Sequence, residues 1–192
     1  MTSIDPARAA LLIMDFQGGI IARLDVAERS ALVARVSELR DRARVAGAQI
    51  AYVRVALTAG EAAAVPDTNK SFSALAADSA AYDPDGPGTQ VIDELAPAEG
   101  EIVVRKRRVG AFSTTDLAEQ LAARGVDTLL LTGISTSGVV LSTVRDAADH
   151  DYHLVVVSDC CNDPRPAVHD VLINDVFPRQ ADVVTAAEVT FS

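Results

Sequence analysis

Short apolar runs alternate along this chain with segments of helical periodicity, and this alternation constrains the fold more than any other feature. Between the runs, apolar residues recur at helical spacing, most clearly over 28–46, where Gly47 ends the pattern. Strands that are apolar on both faces and alternate with helices are typical of a parallel sheet covered on both sides. The sequence therefore predicts an α/β domain with a mostly parallel sheet. The predicted strands are 9–14, 49–56, 101–105, 127–132, 152–158 and 182–185.

The segments between these strands differ in how clearly they can be read. The stretch 138–150 carries a helical stripe of apolar residues, and Thr114 is placed to cap a helix that Gly125 ends. Further helices are predicted over 90–95 and 166–176. Residues 57–88 are rich in Ala, Asp, Gly and Pro, and they are predicted to be irregular.

Composition excludes several classes of protein. The 192 residues suit one domain with a sizeable core. Acidic residues number 27 against 17 basic ones, a net charge of −10, and aromatic residues make up 4%. This balance argues against nucleic acids and anionic membranes as partners. No apolar run approaches the ~20 residues that cross a bilayer, and the N-terminus has no signal-peptide pattern.

The only two cysteines, Cys160 and Cys161, are adjacent in sequence. A disulfide between sequence neighbours is strained, so they do not form a disulfide framework. Unpaired cysteines fit a reducing compartment, which predicts a cytoplasmic protein. Two functions remain open for them. One could be a nucleophile, whereas buried cysteines more often act as small apolar residues.

In a parallel sheet, ligands bind at the carboxyl ends of the strands, near the point where the strand order reverses. Asp15 and Lys106 both stand at predicted strand ends. Asp15 is either a turn residue or a carboxylate held in an apolar crevice, where desolvation raises its pKa and suits it to proton transfer. Lys106 belongs to a basic run of which at least one side chain should point into that crevice.

The segment 133–138 joins a predicted strand to a helix and consists of small and polar residues (GISTSG). Such a turn can bind an anion through backbone N–H groups, or it can be an ordinary capped loop. The three histidines show no spacing that indicates a metal site, so they are predicted to be structural or exposed.

Together these segments resemble the isochorismatase-like hydrolases, also called the cysteine hydrolase superfamily. The resemblance lies in residues 10–17 (ALLIMDFQ), 106–117 (KRRVGAFSTTDL) and 131–147 (LTGISTSGVVLSTVRDA). It implies one domain over 1–192, a three-layer α-β-α sandwich with a six-stranded, mostly parallel, Rossmann-like sheet. It also implies a small-molecule substrate and a homodimer or homotetramer.

Amidases of this superfamily use an aspartate, a lysine and a cysteine, with a non-proline cis peptide before the cysteine. The resemblance assigns these roles to Asp15, to Lys106 and to the Ile134–Ser135 bond. The cysteine position falls on Val139, which cannot act as a nucleophile. The resemblance further implies substrate contacts from Gln17, Arg54, Phe112, Ile134, Ser135 and Gly138.

Three other side chains could replace the missing nucleophile: Ser137, Ser142 and Cys160. Each is displaced from the expected position, since Ser142 lies almost one helical turn further on. The segment that resembles the metal-binding region of nicotinamidases, Val53–Ala56, offers neither Asp nor His. No metal and no cofactor are therefore predicted.

Two functions remain in competition. The first is a hydrolase with Asp15 and Lys106 as an acid–base pair, similar to true isochorismatases, which also lack the cysteine and protonate a vinyl ether. Those enzymes carry glycine where Val139 stands, and the valine side chain would fill part of the space for their substrate. The identity of the substrate is therefore not predicted. The second is an inactive small-molecule-binding or scaffold protein of the same fold.

Overall fold

The computed structural model describes residues 1–192. Its strands are β1 (Thr2–Ile4), β2 (Ala9–Met14), β3 (Gln49–Val55), β4 (Ile102–Lys106), β5 (Thr128–Ile134), β6 (His153–Asn162), β7 (Asp182–Val184) and β8 (Val189–Phe191). Its α-helices are α1 (Gly18–Ile21), α2 (Val26–Ala46), α3 (Ala59–Ala63), α4 (Lys70–Ala77), α5 (Leu117–Ala122), α6 (Leu141–Asp149) and α7 (Pro166–Val171). Turns of π-helix span Thr136–Val140 and Leu172–Val176, and turns of 3-10 helix span Pro6–Arg8, Ser79–Tyr82, Pro87–Thr89, Asp93–Leu95, Phe177–Arg179 and Ala186–Glu188.

Six strands form one sheet in the order β4-β3-β2-β5-β6-β7. Every pairing in it is parallel, which confirms the predicted α/β fold class. The chain runs outward from β2 to β4 and then returns to β5 on the other side of β2. The strand order therefore reverses between β2 and β5, where a crevice opens at the carboxyl ends of the strands.

The sheet is buried on both faces. Along β2, the side chains of Ala10, Leu12 and Met14 pack into the core beneath α5 and α6. Their neighbours Ala9, Leu11 and Ile13 pack into the core beneath α2. Successive residues of an extended strand point to opposite faces, so an unbroken apolar run fills both cores at once.

Helix α2 shows how local signals set its bounds. The side chain of Asp25 accepts a hydrogen bond from the N–H of Ala27 and caps the first turn. Gly47 ends the helix with φ 90°, a left-handed conformation that glycine adopts without steric cost. The predicted start at Glu28 is thus two residues late, because the capping side chain stands before the apolar pattern begins.

The segment 57–88, predicted to be irregular, instead contains α3 and α4. Thr58 and Glu61 form a reciprocal capping box at the start of α3. Val55, Leu57, Ala62 and Phe72 pack together in a small apolar cluster separate from the two main cores. Because this cluster is small, the segment carries no long periodic stripe that a sequence pattern could detect.

Two other predictions are corrected at element ends. Thr114 does not cap α5, because its hydroxyl accepts a hydrogen bond from the N–H of Arg107, and the helix begins at Leu117. The predicted helix over 90–95 is reduced to one 3-10 turn, Asp93–Leu95.

Strand β6 continues four residues beyond its predicted end at Ser158, so the two cysteines lie within the strand. Strands β1 and β8, which were not predicted, form a separate two-stranded parallel sheet. None of the helices combines the length and the apolar composition needed to traverse a lipid bilayer.

Candidate active site

A cleft of about 510 Å³ opens at the carboxyl ends of the central strands. Its floor holds Asp15 after β2, Lys106 at the end of β4, and Ile134 at the end of β5. Ser135, Gly138 and Val139 line it from the turn that follows β5. Six of the residues predicted to form a site, from three separate parts of the sequence, therefore line one cleft.

Asp15 occupies an unusual backbone position. Its φ is 62°, and it shares a positive φ with only one other non-glycine residue, Asp151. Asp is among the few residue types that tolerate this left-handed region. The N–H of Asp15 donates to the carbonyl of Val53 at 2.8 Å, so the residue stays tied to β3 as the chain turns off the sheet. The turn leaves the carboxyl group pointing across the strand ends.

The Asp15 carboxylate and the Lys106 ammonium form a buried ion pair. Asp15 Oδ2 lies 3.0 Å from Lys106 Nζ, with 6% and 3% of the two side chains exposed. Lys106 Nζ also donates to the carbonyl oxygen of Arg108 at 3.3 Å. Burial raises the pKa of Asp15, and the charge and hydrogen bond of Lys106 counteract that rise.

The second carboxyl oxygen of Asp15 takes no part in the ion pair. Asp15 Oδ1 is buried and has no hydrogen-bond partner in the protein. An unpartnered buried oxygen is costly, so its presence on a cleft residue indicates a group held ready for a ligand or a proton.

The turn after β5 forms the opposite wall of the cleft. The Ile134–Ser135 peptide bond is cis. The carbonyl of Ser135 accepts from the N–H groups of Gly138, at 3.2 Å, and Val140, at 3.3 Å. A side chain on Gly138 would place its Cβ 2.6 Å from Ser135 Oγ, so glycine is the residue that lets the Ser135 hydroxyl occupy this position.

Side chains from the loop after β6 and from α7 hold this turn in place. Asp163 Oδ2 accepts a hydrogen bond from the N–H of Ser137 at 2.7 Å. Asp163 Oδ1 accepts another from the N–H of Arg165 at 3.1 Å. The buried hydroxyl of Thr136 lies 2.8 Å from Nδ1 of His169. The geometry of the wall is therefore fixed by groups outside the strand that it follows.

Val139 lies in the π-helical turn and is 2% exposed. Its aliphatic side chain contributes carbon atoms, not a nucleophile, to the cleft. Other apolar side chains complete the wall, and charged ones stand beside them. The apolar set is Ile20, Leu24, Val55, Phe72, Leu75 and Val109, and the charged set from the start of α2 and the loop before it is Arg23, Asp25 and Glu28.

Three residues predicted to contact substrate do not line the cleft. The amide of Gln17 is fully engaged by main chain: it donates to the carbonyls of Val55 and Thr89, and it accepts from the N–H of Val55. Gln17 therefore joins β3 to the segment that covers it. Its predicted substrate contact is replaced by a structural one.

The other two are also occupied elsewhere. Arg54 donates to the carbonyls of Pro84, at 3.0 Å, and Thr89, at 3.3 Å. Phe112 is buried in the core, where its ring stacks on Tyr152 with centroids 6.0 Å apart. Sequence motifs identified these positions, but they could not show that their side chains turn away from the cleft.

The alternative nucleophiles lie outside the cleft as well. Cys160 packs in the core beneath α2 and Cys161 in the opposite core, and neither lines the cleft. Burial raises the pKa of the Cys160 thiol and raises that of Cys161 to about 12. Ser137 and Ser142 do not line the cleft either.

Sequence reasoning missed Asn162 and Asp163, which line the cleft at the end of β6. The missed signal is the apolar pair Cys160–Cys161. If both are read as strand residues, they carry β6 four positions further and place its carboxyl end at Asn162. Arg23, Glu28 and Phe72 were also missed, and they carry no sequence pattern that marks them.

The fold and this cleft define an α/β domain with a buried Asp–Lys pair at the reversal point of a parallel sheet. The chain belongs to the isochorismatase family, since the family model described as the isochorismatase domain matches residues 9–188.

Among its relatives is the uncharacterized isochorismatase family protein YecD of Escherichia coli O157:H7, 32% identical over 98% of each chain. Another is the phenazine biosynthesis protein PhzD1 of Pseudomonas aeruginosa, 32% identical over 97% of this chain and 87% of that one. An isochorismatase family protein of Burkholderia thailandensis has a similar structure, with a TM-score of 0.81 at 28% identity, covering 97% of this chain and 95% of that one.

Proposed function

We propose that this chain is a small-molecule hydrolase in which Asp15 transfers the proton and Lys106 supports its charge, without a cysteine nucleophile. The observation that carries the proposal is the buried 3.0 Å pair of Asp15 and Lys106. The pair lies on the floor of the cleft, and Oδ1 of Asp15 has no hydrogen-bond partner. Burial raises the pKa of Asp15, which favours the protonated form that can donate a proton.

The chemistry that this pair can perform is acid-catalysed hydrolysis of a vinyl ether. Protonated Asp15 gives its proton to the terminal carbon of the double bond. The π electron pair of that double bond forms the new C–H bond. The ether oxygen shares the resulting positive charge, and Lys106 stabilises the Asp15 carboxylate that is left. Water then adds to the carbon bearing the oxygen and returns a proton to Asp15. The hemiketal so formed breaks its bond to the ether oxygen while its hydroxyl proton passes to that oxygen, which releases a ketone and an alcohol.

The assignment of Val139 to the nucleophile position rests on the motif that surrounds it and on its place in the cleft wall. A valine there leaves no thiolate route, and both cysteines of the chain pack in the cores. One relative, from Pseudomonas chlororaphis, is called a probable isochorismatase and is 31% identical over 97% of this chain. This supports proton-transfer chemistry in preference to an acyl-enzyme.

The second candidate is a binding protein that keeps the cleft and has lost turnover. One observation favours it: Val139 adds only carbon to the wall. A pocket by itself does not distinguish binding from catalysis. The two candidates differ in whether any substrate is converted.

The test exposes the protein to a panel of vinyl ethers, amides and ureides. For each compound, product formation and the melting temperature of the protein are measured. The proposal expects turnover of a vinyl ether and its loss in Asp15→Asn, since asparagine keeps the shape and the left-handed backbone but carries no acidic proton. Asp151→Asn is the matched control, because Asp151 is the other non-glycine residue with positive φ and does not line the cleft. It should leave turnover unchanged.

Unaltered turnover in Asp15→Asn would overturn the proposal. A panel with no turnover, in which some compound raises the melting temperature, would instead establish the binding protein.

A further inference from the structure

Two buried side-chain atoms in the whole chain lack a hydrogen-bond partner: Asp15 Oδ1 and Asn162 Oδ1. Both residues line the same cleft. They stand at the ends of β2 and β6, on either side of β5, and Asn162 pairs in register with Ile134. Native proteins satisfy nearly all buried polar atoms, so two exceptions in one cleft indicate a ligand site.

Glu28 fixes the orientation of the Asn162 amide. Asn162 Nδ2 donates to Glu28 Oε1 at 2.6 Å. An ionised carboxylate only accepts hydrogen bonds, so the amide must turn its NH₂ group toward Glu28. The carbonyl oxygen, Oδ1, is thereby left as a fixed acceptor with no protein donor. The part of the ligand that reaches it must be an N–H or O–H group.

The charges around the cleft restrict the ligand further. Four carboxylates line it, from Asp15, Asp25, Glu28 and Asp163, against the two cations of Arg23 and Lys106. Lys106 is paired with Asp15, and the Arg23 guanidinium donates to the hydroxyl of Tyr82 at 3.1 Å. A multiply charged anion would meet more negative than positive charge on entering.

We propose that Asn162, oriented by Glu28, determines specificity in this cleft by accepting a hydrogen bond from a neutral or cationic ligand with an apolar body. The inference rests on the proposed function for the identity of the site, but it concerns recognition and not turnover. Phe72, Leu75 and Val109 supply the apolar surface for the ligand body. Asn162 is a specificity residue and takes no part in proton transfer.

The first test measures binding of four ring compounds to the wild-type protein by NMR titration at low ionic strength. Benzyl alcohol and benzylamine each carry a donor, benzyl methyl ether carries none, and benzoate is an anion. One neutral hydrogen bond predicts about fivefold tighter binding of benzyl alcohol than of the ether. The excess of carboxylates predicts that benzylamine binds about tenfold more tightly than benzoate.

The second test uses three variants. Asn162→Leu removes the acceptor at similar size, and it should bring the ratio of alcohol to ether affinity to about one. Asn162→Asp combined with Glu28→Gln keeps an acceptor without setting two carboxylates against each other, so this double variant should retain the preference for the alcohol. Glu28→Gln can donate to Asn162 as well as accept, so it frees the amide to flip and should reduce the preference without removing it.

Several outcomes would overturn this inference: no probe binding to the wild-type protein, benzoate binding most tightly, or an unchanged alcohol-to-ether ratio in Asn162→Leu. If that variant does not fold, the wild-type ranking and Glu28→Gln still decide. Repeating the titrations in Asp15→Asn separates the two proposals. If Asp15→Asn still prefers the alcohol to the ether, the recognition site is supported independently of proton transfer. If, in addition, the wild-type protein turns over no substrate, the recognition site is retained and the hydrolase is rejected.

Discussion

Replacing Val139 by cysteine tests whether the Asp15–Lys106 pair still faces the position of a nucleophile. The change removes one methyl group and substitutes sulfur for another at a residue that is 2% exposed. Loss of one buried methyl group costs about 1 kcal/mol of folding stability. The variant should therefore fold, with a slightly lower melting temperature.

The new thiol would have a low pKa if it lies beside Lys106. An ordinary thiol of pKa ~8.5 is about 3% ionised at pH 7. A nearby cation that lowers this pKa by ~1 unit raises the ionised fraction to about 24%. Because the thiolate is the reactive form, alkylation should be about eightfold faster than for the same thiol in a chain that lacks Lys106.

Alkylation with iodoacetamide, followed by intact-protein mass spectrometry, provides the assay. The native wild-type chain gives a low background, since neither of its cysteines lines the cleft and burial raises their thiol pKa. The variant should take up one label per chain, and the added change Lys106→Met should slow the labelling. A labelling rate that Lys106→Met leaves unaltered would refute the claim that the lysine faces this position. Hydrolysis of small amides by Val139→Cys would be the strongest support.

Three further predictions concern the rest of the fold. Gly138→Ala should displace the Ser135 hydroxyl, since the added Cβ would lie 2.6 Å from Ser135 Oγ. Probe binding should therefore weaken in Gly138→Ala and recover when Ser135→Gly is added to the same chain. Equal binding in the single and the double variant would contradict this prediction. Arg105 holds the pKa of Glu61 at about 2 through a side-chain hydrogen bond, so the pair stabilises the fold above the ordinary pKa of Glu and loses this effect as pH falls toward 2. Glu61→Gln should therefore cost about 1 kcal/mol at pH 7, after allowance for partial exposure. By urea titration the cost should be much smaller at pH 2, where about half of the Glu61 carboxyl groups are protonated; a cost independent of pH would argue against the ion pair. Light scattering should give the mass of a dimer or tetramer, as the family resemblance implies, and a monomer mass would reject that expectation.

The sheet could be predicted because its strands are apolar on both faces. The sequence predicts the strand 9–14 at the bounds that β2 has in the structure, since burial on both sides leaves no polar residue inside the run. The covering segment 57–88 could not be predicted in the same way. Its helices are short and are held by a small cluster around Phe72 and by the Thr58–Glu61 capping box.

The candidate site was predictable where strand ends determine the geometry. Asp15 and Lys106 meet because parallel strands end at the same edge of a sheet. Gln17 has an equally suggestive place in the sequence, but its amide is used by the main chain of β3. Asn162 could not be identified from the sequence. The feature that distinguishes it is an amide oxygen without a hydrogen-bond partner, and hydrogen-bond partners cannot be read from residue spacing.

The placement of the two cysteines has an experimental consequence for folding. Adjacent residues of β6 point to opposite faces, so Cys160 belongs to the layer beneath α2 and Cys161 to the layer beneath α5 and α6. Each thiol can react only when its own layer opens. Pulsed thiol labelling under native conditions, with the two sites resolved by peptide mapping, would thus report the opening free energy of each layer separately. Equal rates at both sulfurs would mean that the domain opens as one cooperative unit, and unequal rates would identify which layer of helices detaches first.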